Sequence, residues 1–145
     1  MKIELRSEPF EPLVELGRYQ ASLSELRGQY GATAIFIGTM RDLNEGESVR
    51  GMTLEHYPGM TERHLQRIVE AAFAEWPLLD ALVIHRVGDL QPNDPIVLIA
   101  VWSVHRAAAF AACRFVIEEL KSKAPFWKRE DMGAGSRWVE HNTPG

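Results

Sequence analysis

The sequence predicts an α+β fold with a mixed or antiparallel sheet, two long helices and a C-terminal β-hairpin. Segments rich in β-branched and aromatic residues form two blocks, and two longer stretches carry apolar residues at intervals of three and four. No Pro/Ser/Gly-rich linker divides the 145 residues. This length is typical of one core, so we expect a single domain over 1–145.

The first block should hold two strands and a short helix. Ile3 and Leu5 alternate with charged residues, which predicts a strand before a turn at Pro9 and Pro12. Ser22 or Ser24 could cap a short helix that runs to about Gln29. The remaining predictions for this block are a buried strand over 32–40 and a mobile polar loop over 41–48.

The rest of the chain alternates strands with the two long helices. A strand over 49–57 precedes a helix that opens at Thr61 and stops at Pro77. Strands over 81–87 and 96–102 are separated by a turn, and Ser103 could cap the second long helix, which ends at Pro125. Segments 127–132 and 136–139 are predicted to form the terminal hairpin.

Composition excludes several classes of protein. The net charge of −4 offers no footprint for nucleic acid or anionic lipid, so any anion site must be local. The longest apolar run is too short to span a membrane and the N-terminus lacks a secretory signal, so we expect a cytoplasmic protein. Cys113 is the only cysteine, and no Cys/His spacing predicts a metal site.

The segment Ser103-Val104-His105-Arg106 is the first candidate site. It lies where a strand is predicted to end and a helix to begin, and the free N–H groups of a helix N-terminus attract anions. His105 and Arg106 would add hydrogen-bond donors and charge there. Spacing alone slightly favours the alternative that both side chains are solvated or paired with carboxylates.

The segment from Lys121 to Glu130, which contains Pro125, is the second candidate. Lysines in a last helical turn need no function beyond complementing the helix dipole, and this explains Lys123. Lys128 instead follows Phe126 and Trp127, whose apolar side chains could lower its pKa. Such a lysine could act as a nucleophile or transfer protons, although an ordinary surface strand explains the same residues about as well.

Arg41 is the third candidate, between the buried strand and the polar loop. Its planar guanidinium suits a phosphate or carboxylate clamp, but most loop arginines are simply solvated. The other histidines, including His85, lack ligand spacing and are better explained as structural or surface residues. Phosphate-cradling GxxxxGK, GxGxxG and GxSxG motifs do not occur.

Taken together, these segments resemble the catalytic (large) subunits of molybdopterin synthase. The matching motifs occur in that family's order and span most of the chain from about Gly31 onward. They are Gly38-Thr39-Met40-Arg41, Leu54 to Met60, His85-Arg86-Val87-Gly88, Ser103-Val104-His105-Arg106 with Phe110, Leu120-Lys121, Pro125 to Glu130, and Arg137-Trp138-Val139-Glu140.

The resemblance implies a sulfurtransferase that converts cyclic pyranopterin monophosphate into the dithiolene molybdopterin. The two sulfurs would come from a small ubiquitin-like subunit that carries a C-terminal Gly-Gly thiocarboxylate. It further implies an α/β-hammerhead-type fold and a homodimer with one small subunit at each end, hence a heterotetramer. No cofactor or metal is expected.

Residue roles also follow from the resemblance. Lys121 and Lys128 match the family's active-site lysines. The positions that would bind the anionic substrate or the partner's terminus are Thr39, Met40, Arg41, His105, Arg106, Arg129, Glu130 and Arg137.

Three alternatives remain open on the sequence. A phosphoryl or acyl hydrolase could use His105 as a base, although it lacks an evident nucleophile. A non-catalytic module could bind a partner's C-terminal carboxylate in a basic pocket. A pterin-binding regulator would bind the precursor without needing the small subunit.

Overall fold

The computed structural model describes residues 1–44, 47–48, 50–123, 126–133 and 135–139, with the side chains at 43, 44, 47, 48, 127 and 129 outside the description. Three α-helices and ten strands are assigned in these ranges. Among the described helices, none is both long and apolar enough to cross a membrane.

A four-stranded mixed sheet has the order β1-β6-β8-β2. Strand β1 runs parallel to β6, whereas β8 is antiparallel to both β6 and β2. The bounds of these strands are β1 (Lys2–Arg6), β2 (Ala32–Thr39), β6 (Leu78–Arg86) and β8 (Pro95–Ser103).

Both faces of this sheet are covered, which explains why β6 and β8 are almost continuously apolar. In β8, Val97, Ile99 and Val101 face helices α2 (Met60–Glu75) and α3 (Arg106–Lys123). The alternate residues Leu98, Ala100 and Trp102 form a second cluster with residues of α1 (Pro12–Ala21). Strand alternation thus divides the core between two layers of helix.

A second, antiparallel sheet has the order β10-β9-β5-β7. Its strands are β5 (Gly51–His56), β7 (Gly88–Leu90), β9 (Phe126–Asp131) and β10 (Ser136–Trp138). Met40, Met52, Leu54 and Leu90 form a small buried cluster on this sheet. A two-stranded ribbon, β3 (Leu43–Asn44) with β4 (Glu47–Ser48), lies in the connection from β2 to β5.

The α+β class, the two long helices and the β9–β10 hairpin are confirmed, but the first helix was misplaced. Helix α1 precedes Ser22, and only a 3₁₀ turn follows it over Ser24–Leu26. The sequence predicts Pro12 in a turn, but Pro12 begins the helix instead, because proline is tolerated at the first positions of a helix. Leu16 and Tyr19 then pack against the second core cluster.

Three smaller predictions also need correction. The segment over 41–48 contains the β3–β4 pair, and the predicted turn before β8 contains β7. Ser103 does not cap α3: it ends β8, and its hydroxyl donates to the Pro77 carbonyl oxygen at 3.1 Å. Helix α3 instead begins after His105, whose carbonyl oxygen accepts the Ala109 N–H at 3.4 Å.

Candidate active site

A pocket of about 280 Å³ opens between the two sheets at the C-terminal end of α3. Strand β2 and the start of β8 form one side, and β5 and β9 of the second sheet form another. Its described lining is Phe36, Ile37, Gly38, Thr39, Leu54, His85, Ile96, Val97, Leu120, Lys121, Phe126 and Lys128.

Most of this lining is apolar, with a few convergent polar groups. Among the described lining residues, the polar side chains are those of Thr39, His85, Lys121 and Lys128. No carboxylate belongs to this part of the lining. An apolar pocket with two cationic side chains suits a ligand that combines a flat or apolar body with negative charge.

The two lysines reach the pocket from different elements. Lys121 lies in the last turn of α3, directly after the buried Leu120. Lys128 lies in β9 opposite Leu54 of β5. Because side chains alternate along a strand, Phe126, Lys128 and Glu130 share the face of β9 that includes the pocket wall.

The pKa of Lys128 is lowered to about 7, far below the usual value for lysine, and burial is the largest cause. Repulsion from the neighbouring Lys121 ammonium and a hydrogen bond with that side chain also contribute to this lowering, while the Glu130 carboxylate opposes it. A lysine with this pKa exchanges its proton readily near neutral pH.

His85 is the second perturbed group in the pocket. It is 4% exposed, and burial lowers its pKa to about 4, with smaller contributions from Lys121 and Lys128. Its Nδ1 lies 2.6 Å from the Arg86 carbonyl oxygen, so this nitrogen carries the hydrogen and donates it. The imidazole is therefore neutral at pH 7, and its Nε2 can accept a hydrogen bond.

Glu130 and Arg137 lie opposite each other in the β9–β10 pair. The Arg137 Nε donates to Glu130 Oε1 at 2.9 Å, and the Glu130 residue is 4% exposed. Both were predicted to bind substrate. In the structure the pair packs beside the pocket wall, where Glu130 acts electrostatically on Lys128.

The motif at the end of β2 is divided between the pocket and the core. Thr39 lines the pocket, whereas Met40 is 5% exposed and packs in the cluster with Met52 and Leu54. Arg41 follows as an exposed residue. Of these three predicted substrate-binding residues, only Thr39 belongs to the described lining.

His105 and Arg106 lie at the other end of α3 from Lys121. Arg106 and Lys121 are fifteen positions apart, and a rise of 1.5 Å per residue puts them about 22 Å apart along the helix. His105 and Arg106 therefore do not reach the pocket of their own chain. The Arg129 side chain, also predicted to bind substrate, is outside the described part of the structure.

His85 is a pocket residue that the sequence does not reveal, whereas Phe126 is the apolar neighbour that the sequence predicts beside Lys128. Their rings stack with centroids 4.2 Å apart and an interplanar angle of 13°. Sequence spacing could not have paired them, because they lie in different sheets. In the described ranges, no group of three or more His, Cys, Asp or Glu residues is arranged to hold a metal ion.

Comparison with known proteins identifies the family. The family model described as MoaE protein matches residues 11–123. The chain belongs to the MoaE family. The molybdopterin synthase catalytic subunit of Ralstonia nicotianae is 59% identical over 126 residues, which cover 87% of this chain and 72% of that protein. The Escherichia coli protein of the same name is 48% identical over 139 residues, 96% of this chain and 89% of its own.

A solved structure supports the same assignment for the fold. The crystal structure of molybdopterin synthase from Staphylococcus aureus matches with a TM-score of 0.83 at 33% identity, covering 96% of this chain and 97% of that one. The resemblance noted in the sequence is thus confirmed, and with it the family fold. Membership of the MoaE family makes the chain an enzyme of molybdopterin synthesis.

Proposed function

We propose that the chain acts as the catalytic subunit of a molybdopterin synthase, in the cytoplasm. It would transfer two sulfurs from the thiocarboxylated C-terminus of a small ubiquitin-like subunit to cyclic pyranopterin monophosphate, forming the dithiolene. The observation that carries this proposal is the convergence of Lys121 and Lys128 in one largely apolar pocket. These are the two lysines that the family resemblance marks as catalytic.

Each sulfur transfer needs a carbon–sulfur bond to form and another to break. The thiocarboxylate sulfur would first bond to a pterin carbon while a carbon–oxygen bond at that carbon breaks and the departing oxygen takes up a proton, which leaves the sulfur joined to both molecules. Water then adds to the acyl carbon and the acyl carbon–sulfur bond breaks. The products are a carboxylate on the small subunit, a thiol on the pterin and one released proton.

The two lysines would divide this work. Attack on the acyl carbon places negative charge on its oxygen, and the Lys121 ammonium would stabilise that oxyanion. The Lys128 amine, with its pKa of about 7, would accept the proton from water and return it to a leaving group. Burial strengthens both effects, because charges interact more strongly away from bulk water.

His105 and Arg106 could contribute to the proposed site only from a second chain. The resemblance implies a homodimer, and the length of α3 keeps these residues away from the pocket of their own chain. We therefore propose that they hold the anionic groups of substrate bound to the partner copy. Arg41 and Arg137 remain further candidates for the same role.

A turnover assay with matched lysine variants tests the proposed function. The purified chain would be mixed with precursor pterin and thiocarboxylated small subunit, and the product converted to its fluorescent oxidised form. Lys121→Ala should abolish turnover while leaving binding of the small subunit nearly intact. The control is Lys123→Ala, since Lys123 lies two residues later in the same helix and pairs with Glu119 at 2.8 Å.

Other outcomes would support different functions. If the native chain binds the small subunit but yields no dithiolene, a non-catalytic binding module explains the pocket better. If Lys121→Ala instead prevents the complex from forming, Lys121 serves the interface and not the reaction.

A further inference from the structure

His85 lies where the two sheets approach each other beside the pocket. It belongs to β6 of the mixed sheet, with Leu5 of β1 and Val97 of β8 as its register partners. Its ring stacks on Phe126, the first residue of β9 in the second sheet. The stack is therefore a direct contact between the sheets, two residues before Lys128.

A hydrogen bond to the neighbouring backbone fixes the orientation of the His85 ring. Its Nδ1–H donates to the Arg86 carbonyl oxygen, and the Arg86 residue is 2% exposed. The Arg86 guanidinium donates to the carbonyl oxygens of Asp89 at 2.7 Å and Ser7 at 3.3 Å. The hydrogen bond fixes the edge of the buried ring, and the face of the ring then forms a rigid surface for Phe126.

Phe126 and Lys128 point to the same side of β9, so the position of one constrains the other. The charged groups that act on Lys128 are Lys121 of α3 and Glu130 of its own strand, while the neutral His85 ring shares the pocket. An apolar stack in the same pocket as Lys128 would leave less room for water beside the amine, and the neutral His85 ring adds no third positive charge.

We propose that His85 is a positioning residue for the reaction: by stacking on Phe126 it fixes the start of β9 and keeps the Lys128 amino group in the dry pocket beside Lys121. This inference deepens the proposed function, because it concerns the same lysine. It assigns no proton transfer to the imidazole itself. The ring acts through its shape, its neutrality and its contact with Phe126.

The test compares His85→Ala with His85→Phe and reads the pKa of Lys128 directly. Trace acetylation with acetic anhydride across a pH series, followed by peptide mass spectrometry, reports the neutral fraction of each lysine, and exposed Lys123 serves as the internal reference. In His85→Ala, water should enter and raise the Lys128 pKa by one unit or more. His85→Phe retains an aromatic stack, so the pKa should stay close to that of the native chain.

Turnover gives the second readout. Once the pKa of Lys128 exceeds the pH, each further unit cuts the neutral fraction about tenfold. The kcat of His85→Ala at pH 7 should fall by a comparable factor and recover at higher pH, whereas His85→Phe should rescue most of that loss. His64→Ala, on α2 and outside the described pocket lining, is the control.

Two results would overturn the proposal. One is an unchanged Lys128 pKa in His85→Ala; the other is a His85→Phe variant whose Lys128 pKa rises as far as in His85→Ala. If His85→Ala does not fold, His85→Leu replaces it, since leucine fills the space without stacking. If the native chain shows no turnover, the proposed function fails, but the acetylation measurement still decides the role of His85.

Discussion

Lys128 depends on its immediate surroundings for the chemistry proposed here. Burial and the nearby Lys121 bring its pKa to about 7, so the side chain can exist as amine or ammonium under ordinary conditions. Lys128 could therefore serve either as a fixed positive charge or as a proton acceptor.

The substitution Lys128→Arg distinguishes these roles. Arginine keeps the positive charge but does not lose its proton in proteins, so a proton-transfer role should cost about 10² to 10⁴ in kcat. The turnover assay at pH 7 measures the loss, with Lys123→Arg as the control. Activity within a few-fold of native would mean that Lys128 supplies only charge.

His85 predicts a specific loss of stability in acid. Its pKa is about 4 in the folded chain and 6.5 when exposed, so the unfolded state binds more protons between these values. The free energy of unfolding should therefore fall as pH drops from 6.5 to 4, by about 3 kcal/mol from this residue.

Urea unfolding of the native chain and of His85→Phe over this pH range isolates the effect. The phenylalanine variant lacks the His85 imidazole, so its free energy of unfolding should fall less steeply. Parallel pH dependences for the two proteins would contradict the assignment.

Sequence and structure agree unevenly at the residue scale, for a physical reason. Lys121 and Lys128 could be named as candidates because the motifs that contain them resemble those of the family, and local helix and strand signals placed the two lysines on different elements. His85 could not, because its importance comes from a ring in another sheet. Met40 matched a family motif, but strand alternation turns its side chain into the core.

At the scale of elements, the turn before β8 forms hydrogen bonds with Met40, the residue that follows β2. Asn93 adopts a positive φ of 73°, and its N–H donates to the Met40 carbonyl oxygen at 2.8 Å. The Met40 N–H in turn donates to the Asp94 carbonyl oxygen at 2.9 Å. Asparagine tolerates a positive φ, so this residue type is compatible with the turn that the sequence predicts between the strands over 81–87 and 96–102.

Substitution of Asn93 should follow the conformational preferences of the new residue. Asn93→Val places a β-branched side chain in the left-handed region and should cost about 1–3 kcal/mol of unfolding free energy. Asn93→Gly should change stability little. Urea unfolding of both variants measures the difference, and equal stabilities would show that this turn tolerates any side chain.

Helix α1 shows where element prediction failed. Pro12 is its only buried residue, and its contacts are supplied by the far side of the mixed sheet: the Tyr19 ring lies 5.5 Å from that of Trp102, and Gln20 accepts the Trp102 Nε1–H at 3.2 Å. The longer helices α2 and α3 bury five and six residues. Local periodicity predicts α2 and α3, but it does not predict α1, whose contacts include the distant Trp102.

At the scale of the whole molecule, the proposed site requires two copies of the chain. A mixture of Lys121→Ala and Arg106→Ala chains tests this arrangement. In a mixed dimer, one pocket combines native Lys121 with native Arg106 from the partner, while the other lacks both. Random pairing should therefore restore about a quarter of native turnover in the symmetric dimer proposed here.

Each variant alone provides the baseline for this mixing experiment. If both residues served the pocket of their own chain, every pocket in the mixture would lack one of them and no activity would return. Size-exclusion chromatography coupled to light scattering would confirm that dimers form under the assay conditions.

The absence of a carboxylate from the described pocket lining also has a thermodynamic consequence. An incoming anion would favour the charged form of Lys128, so binding and protonation are linked, and the complex should take up a fraction of a proton near pH 7. Calorimetry of pterin phosphate binding in buffers with different ionisation enthalpies would measure that uptake. The charge of the bound substrate would therefore raise the pKa of Lys128, so the pH at which half of Lys128 is the neutral amine should lie higher in the complex than in the free chain.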